Sequence, residues 1–238
     1  MTGISIGAFT KMKRYELIYL DADDTLFDYK TAEREGITRA FRSHGIACSD
    51  DIIGKYAEIN EQLWAKFEKN EIDQVLLRTE RFRLLFAELG LHIDENEFSG
   101  EYLEHLGNSG ALLDGAKDIC VYLHGKYKTA IVTNGIGGVQ RGRLLQSKIK
   151  DDIDYLIISE EAGINKPNPG IFEYAEKITG FTDKSKMIII GDSLTSDIRG
   201  GMNYGIDTCW YNPAGKTLVD GVKPTYEIAD LDELKGIL

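Results

Sequence analysis

The distribution of apolar residues along the chain changes character twice. Residues 15–21 (YELIYLD) form a short, nearly continuous apolar run ending in an acid, which reads as a strand buried on both faces. From about residue 29 to residue 112 the spacing becomes helical. Ile52, Tyr56, Ile59, Leu63 and Phe67 recur every three or four residues, and Val75, Phe82, Leu85, Phe86 and Leu89 mark a second such stripe. Ile37, Ala40 and Phe41 place an earlier helix, and Phe98, Tyr102 and Leu106 a later one. The pair Leu89-Gly90 reads as a helix end with glycine in the left-handed cap. Four helices and no strand are predicted in this stretch.

Beyond Asp114 strand and helix alternate. Strands are predicted at 128–133, 155–158, 187–190 and 207–211, with a late short one at 226–228. Helices are predicted at 116–124, 139–148, 169–179, 195–204 and 231–236. Alternating apolar strands and helices imply a parallel sheet covered on both faces. The fold expected is therefore α/β: a Rossmann-like parallel sheet carrying an inserted all-α module. Residues 1–28 and 113–238 form its core and 29–112 the insert, which two linkers would let move as a lid. Met12 stands just before the first strand, and residues 1–12 are expected to be a poorly ordered leader.

Composition narrows the partners. The 238 residues carry a formal net charge of -11, which argues against a nucleic-acid polymer or an anionic membrane, both of which need a basic face. A small anionic substrate remains compatible, because a bound cation and one lysine can reverse the field inside a cleft. The three cysteines, Cys48, Cys120 and Cys209, form no C-x-x-C pair and no zinc-like cluster. So sparse a set suits reduced thiols and a cytoplasmic protein with Cys209 in the core. A monomer or homodimer is expected. No apolar run approaches the ~20 residues of a membrane span.

Four polar segments each follow a predicted strand: Asp21-Ala22-Asp23-Asp24-Thr25, Thr133-Asn134-Gly135, Lys166-Pro167, and Gly191-Asp192-Ser193 with Asp197. Singly each is weak, since such residues also make turns and helix caps. In a parallel sheet, however, the carboxyl ends of the strands share one edge, where α/β proteins bind ligands. Segments more than a hundred residues apart would then meet in one crevice.

In this order and spacing the four segments resemble the haloacid dehalogenase-like hydrolase superfamily, and the helical insert looks like its C1-type cap. The resemblance runs from about Tyr15 to the C-terminus and implies a Mg²⁺-dependent phosphatase working through an aspartyl-phosphate. Asp21, at the end of its strand, is assigned as nucleophile, and Asp23 as general acid and then general base. By the resemblance, Asp21 and Asp192 supply side-chain metal ligands and Asp23 its main-chain carbonyl. Asp197 acts behind them or orients Lys166, while Asp24 is structural. Thr133 and the Asn134 amide would grip the phosphoryl oxygens, and Lys166 would neutralise the charge of nucleophile and phosphate. Hard oxygen ligands without histidine or thiolate favour Mg²⁺.

Further details resemble the pyrimidine 5′-nucleotidase branch: Thr133-Asn134-Gly135 with Gln140 and Arg143-Leu144, Leu63-Trp64 in the insert, and Asp207-Thr208-Cys209-Trp210. That branch implies a nucleoside 5′-monophosphate as the small phosphorylated substrate. Phe27, at the hinge or mouth of the insert, and Trp64, Arg78 and Arg81 within it are candidates for contacting the base or sugar. Sugar-phosphate phosphatase and phosphomutase are the alternatives within the superfamily. A haloacid dehalogenase would lack the second aspartate of the first segment, a phosphonate hydrolase would need a distinctive lysine in the insert, and a non-catalytic binding protein would break the pattern.

Overall fold

The computed structural model describes residues 15–69 and 71–238. Strand β1 (Leu17–Leu20) is followed by four helices, α1 (Tyr29–Ser43), α2 (Asp50–Glu68), α3 (Gln74–Leu89) and α4 (Glu95–Gly107). Next come α5 (Ala116–Leu123), β2 (Lys128–Thr133), α6 (Gly137–Gln146), β3 (Tyr155–Ile158), α7 (Ser159–Ala162) and α8 (Gly170–Thr179). The chain closes with β4 (Met187–Gly191), α9 (Arg199–Tyr204), β5 (Asp207–Tyr211), β6 (Tyr226–Ile228) and α10 (Leu234–Ile237).

The strands form one sheet in the order β3-β2-β1-β4-β5-β6, and every neighbouring pair is parallel. Successive side chains of a strand point to opposite faces, and each face here is buried. Leu17 and Tyr19 join Val132, Ile189 and Phe172 on one side. Ile18 and Leu20 join Ile131, Ile190, Cys120 and Cys209 on the other. Two-sided burial is why β1 reads as an unbroken apolar run. Because β1 lies between β2 and β4, with Leu20 opposite both Ile131 and Ile190, the residues following these three strands emerge side by side. Ligands of open α/β sheets bind at such a switch point.

Helices α1–α4 pack around a separate aromatic cluster that includes Phe41, Tyr56, Phe82, Phe86, Phe98 and Tyr102. Asp28, Ser49, Asp73 and Asp94 cap their N-termini by accepting first-turn N–H groups, each worth about 1 kcal/mol. Gly90 ends α3 with φ 64°, the left-handed cap expected from the sequence.

The cluster is completed by Ile136 and Val139 at the start of α6. There α4 and α6 approach backbone to backbone: a Cβ on Gly142 would lie 2.6 Å from the Gly107 carbonyl oxygen. An alanine in mid-helix normally gains up to about 1 kcal/mol over glycine. Here overpacking wins, and Gly142→Ala is expected to lower stability by about 1–3 kcal/mol in denaturant unfolding. A stabilised variant would contradict the tight α4–α6 seam.

The structure shifts several sequence expectations. β1 starts at Leu17 rather than Tyr15, whose hydroxyl donates to Asp207 Oδ2 at 2.6 Å. The helix expected at 195–204 is a π-helical turn, Leu194–Ile198, running into α9, because Asp197 is turned inward toward Lys166. The terminal helix is split into a 3₁₀ turn, Leu231–Glu233, and α10, with Asp230 and Glu233 forming a capping box over the turn. α7, four residues long, is too short to show periodicity and was not expected. The expected leader lies outside the described residues. No helix among the described residues is long and apolar enough to cross a membrane. Cys120 and Cys209 are buried and all three cysteines are free.

Candidate active site

Directly after β1 the chain makes a tight turn. Leu26 and Phe27 N–H both donate to the Ala22 carbonyl, at 2.9 and 2.8 Å, and Asp24 N–H donates to the Phe27 carbonyl at 3.0 Å. Asp24 takes φ 59° here, a left-handed conformation that aspartate tolerates better than most residues. It is thus a turn residue, in keeping with its structural assignment. Thr25 Oγ1 accepts from Asp192 N–H at 3.1 Å and so staples the first acidic segment to the last.

Asp21 continues β1 and donates its N–H to the Ile190 carbonyl at 2.9 Å. Its Oδ1 accepts from Lys166 Nζ at 2.6 Å. The same ammonium donates to Asp197 Oδ1 at 2.6 Å and to the Val132 carbonyl at 2.5 Å, which uses all three of its protons. Lys166 is 1% exposed, so its position is fixed. Its backbone is also held: Asn134 Nδ2 donates to the Lys166 carbonyl at 2.9 Å, and Asn134 Oδ1 accepts from Lys166 N–H at 2.8 Å. The Asn134 side chain is therefore a brace for the lysine loop. Thr133 Oγ1 accepts from Gly135 N–H at 3.0 Å, closing the turn after β2.

Carboxylates dominate the electrostatics. Burial pulls the Lys166 ammonium down, but Asp197 and Asp21 outweigh it and hold the group above its ordinary range, so it stays charged. Burial, followed by the facing Asp197, pushes Asp21 well up, with Lys166 opposing. Burial, then Asp197 and Asp24, raise Asp192 to about 7. Oxygens of Asp21, Asp192 and Asp197 lie within 4.8 Å of one another. One lysine does not neutralise three such groups, and a hard divalent cation suits an all-oxygen set of this kind. Both Asp197 oxygens are engaged, one by Lys166 and one by Ser193 N–H at 3.1 Å, so Asp197 orients the lysine while Asp21 and Asp192 are better placed as ligands.

These groups line a cavity of about 240 Å³ roofed by Tyr29, Trp64 and Glu68. A larger cleft of about 520 Å³ opens between the α2–α3 turn and the loop before α8, but none of the described residues lining it is a lysine or arginine, and it lies apart from the acidic cluster. Trp64 and Glu68 are four residues apart and share one face of α2. Glu68 Oε2 accepts from Thr195 Oγ1 at 3.1 Å, and Gln74 Nε2 donates to the Asn134 carbonyl at 3.3 Å, so the helical insert touches the sheet edge on two sides of the cavity.

Four of the residues that line the cavity or hold its groups were not expected from the sequence in those roles. Tyr29 and Glu68 carry no local signal; only the helical spacing from Trp64 could have pointed to Glu68. Gln140 Nε2 donates to Asp23 Oδ2 at 2.6 Å, and Arg143 Nη1 pairs with Asp23 Oδ1. Three expected substrate contacts are not in the cavity. Arg81 is buried in the aromatic cluster of the insert, where Nη1 donates to Asn60 Oδ1 at 3.2 Å and the guanidinium lies 4.9 Å from the Tyr102 ring centre. Arg78 reaches across the seam to Glu160 at 2.5 Å. Phe27 is buried at the hinge, bridged to Leu112, and not at the mouth. Trp64 does line the cavity.

A profile of haloacid dehalogenase-like hydrolases matches residues 15–205. The chain belongs to the haloacid dehalogenase-like hydrolase family. Within it, the chain is 37% identical to YfnB of Bacillus subtilis, over 95% of this chain and 97% of that protein. It is 32% identical to the pyrimidine 5′-nucleotidase YjjG of Escherichia coli, over 94% of this chain and 98% of the relative. For the pyrimidine 5′-nucleotidase PynA of Streptococcus pneumoniae the identity is 35%, over 94% and 95%. A crystal structure of YfnB bound to magnesium, which reveals interdomain movement, matches with a TM-score of 0.89 at 36% identity, covering 95% of this chain and 99% of that one. The family resemblance read from the four polar segments therefore holds.

Proposed function

We propose that the protein is a Mg²⁺-dependent phosphatase that hydrolyses a small phosphate monoester, a pyrimidine nucleoside 5′-monophosphate, through an aspartyl-phosphate on Asp21. The observation that carries this reading is the meeting of Asp21, Lys166, Thr133 and Asp192 in one cavity at the carboxyl edge of the sheet. Phosphate monoesters are among the slowest substrates to hydrolyse, with accelerations up to ~10²¹-fold, so charge neutralisation and positioning must supply most of the barrier reduction.

Lys166 donates to Oδ1 of Asp21, an oxygen that keeps a lone pair for a cation, so Oδ2 is taken as the attacking oxygen. As the Asp21 Oδ2–P bond forms, the ester P–O bond breaks, and its electron pair stays on the leaving oxygen, which takes a proton from Asp23. Asp23 then removes a proton from water as the water oxygen attacks phosphorus. The Asp21 Oδ2–P bond breaks, restoring the carboxylate and Asp23, and the products are an alcohol and inorganic phosphate. Lys166 and the Thr133 turn balance and orient the phosphoryl oxygens. Asp21 and Asp192 carboxylates and the Asp23 carbonyl would hold Mg²⁺, which when bound offsets negative charge on phosphate and nucleophile. Helices α1–α4 serve as a lid whose face selects the leaving group.

Two observations support a nucleotide. YjjG and PynA are named pyrimidine 5′-nucleotidases. Trp64 and Tyr29 bring two aromatic side chains to the cavity, while the only cationic side chain among the described residues lining it is Lys166, already bound to two carboxylates. That lining suits a neutral, stackable leaving group and is poorly matched to a bis-phosphorylated intermediate or an acidic sugar.

The test is phosphate release from UMP, dUMP, dTMP, sugar phosphates and p-nitrophenyl phosphate. Release should require Mg²⁺ and stop with EDTA. Sugar phosphates turned over far faster than nucleotides would remove the nucleotidase label, and undiminished activity in EDTA would remove the metal.

Mg²⁺ binding should also depend on pH. Asp192 keeps its proton to about pH 7, so a cation binding below that pH must displace it. The apparent Mg²⁺ affinity, followed by calorimetry, is expected to rise by up to about tenfold per pH unit on approaching 7 and to level off above it. In metal-free protein the sign is opposite. A raised carboxylate stabilises the fold fully below its unfolded value of ~3.9, and that contribution is lost as pH rises through about 7. A pH-independent Mg²⁺ affinity between 5 and 7 would contradict the carboxylate assignment.

A further inference from the structure

Asp23 is held by two side chains that the mechanism above does not use. Arg143 Nη1 pairs with its Oδ1, and Gln140 Nε2 donates to its Oδ2 at 2.6 Å, so each carboxylate oxygen has its own partner. Both partners come from α6, three residues apart, and both are buried although the Asp23 side chain is 28% exposed. Arg143 is 0% exposed. Burying a guanidinium completely is costly unless it is paired and hydrogen-bonded. The Gln140 seat is also close-fitting: a Cβ on Gly135 would lie 2.2 Å from Gln140 Nε2, so a side chain there would push the amide from its place beside Asp23.

The remaining contacts of Arg143 reach the two linkers of the helical insert. Its Nε donates to the Ser109 carbonyl at 3.2 Å, on the returning linker. Its guanidinium lies over the Phe27 ring, 4.7 Å from the centre, on the outgoing linker. The linkers are paired with each other beside it, through Asp28 N–H to the Ala111 carbonyl at 3.1 Å and Leu113 N–H to the Leu26 carbonyl at 2.9 Å. Among the described residues, two buried polar atoms of the network, Arg143 Nη2 and Gln140 Oε1, have no hydrogen-bond partner.

We propose that Arg143 and Gln140 are positioning residues that aim the Asp23 carboxyl at the leaving-group oxygen, with Arg143 anchoring that aim to both linkers. The inference rests on the acid–base reading of Asp23. Neither residue lines the cavity, so their effect passes through Asp23. It should therefore appear only where a proton must be delivered as the ester bond breaks.

The experiment compares two esters by kcat/KM, which reports only the steps up to departure of the leaving group. UMP, or whichever alkyl phosphate the panel shows to be turned over best, needs a proton on its leaving oxygen; p-nitrophenolate departs without one. Arg143→Met and Gln140→Met are each expected to lower kcat/KM for the alkyl ester by on the order of 100-fold, and for p-nitrophenyl phosphate by less than about tenfold. Added to Asp23→Asn, either change should cost nothing further. Equal losses for the two esters, a rise in activity, or the same extra loss in the Asp23→Asn background would overturn the proposal. Thermal melting checks folding, and if Arg143→Met does not fold, Gln140→Met, which removes no charge, decides the matter. If Asp23→Asn itself treats the two esters alike, the acid–base reading fails and this inference falls with it. If Asp23→Asn discriminates and the α6 variants do not, only the inference falls.

Discussion

Asp21→Asn is expected to lower kcat by at least about 10⁴-fold, the scale seen when a covalent nucleophile is removed and only binding and charge stabilisation remain. The amide keeps the shape of the carboxylate and can still meet Lys166, but it cannot form the acyl phosphate. The loss should not come from unfolding. Burial and Asp197 push the Asp21 carboxyl well up, which means that the fold tolerates its charge poorly when no cation is present. Replacing it by a neutral amide should leave the melting temperature of metal-free protein unchanged or higher. Lost activity with a lowered melting temperature would indicate a structural role, and retained turnover would remove Asp21 as nucleophile.

Lys166→Met should strike both stability and rate. The ammonium bridges Asp21, Asp197 and the Val132 carbonyl from a fully buried position. Taking it away leaves two buried carboxylates facing each other and a carbonyl without its donor. Breaking a buried ion pair from one side costs about 3–5 kcal/mol. For a chain of this size that corresponds to a fall of roughly 6–20 °C in melting temperature. Saturating Mg²⁺ should recover part of it, because a cation among the carboxylates replaces some of the missing charge. Turnover should fall by about 10²–10³-fold even in the fraction that remains folded, since a preorganised charge beside the phosphoryl oxygens is lost. A variant that melts like the parent would mean that the lysine is not the electrostatic centre of the site.

The parts of this site that could be read from the sequence are those set by backbone periodicity. β1, β2 and β4 are buried on both faces, so they appear as apolar runs. The polar residues that follow each run then have to meet once the sheet is parallel. Asp21, Thr133, Asp192 and Asp197 were legible for that reason, and Lys166 by its place in the loop beyond β3. The helices of the insert were legible because α1–α4 bury one stripe each.

What escaped was decided by packing between distant elements. Arg81 looks like a surface residue by type, yet Leu77, Arg81 and Leu85 follow one another at intervals of four and share the buried face of α3. The guanidinium is tolerated there because Asn60 and the Phe82 and Tyr102 rings receive it. Read for periodicity rather than for charge, that arginine would have been placed in the interior. Arg143 and Gln140 lie on the buried face of α6 in the same way, but nothing in their spacing says that Asp23, 120 and 117 residues away, is their partner. Glu68 enters the cavity only because α2 crosses the sheet edge near Thr195, a tertiary fact with no local trace.

The most direct measurement is rapid-quench mass spectrometry of the enzyme during turnover with Mg²⁺. Acid-quenched protein is expected to carry one phosphoryl group on the peptide containing Asp21, appearing before the first turnover is complete and absent from Asp21→Asn. Turnover with no phosphorylated enzyme at any time, or the label on a different residue, would contradict attack by Asp21 on phosphorus.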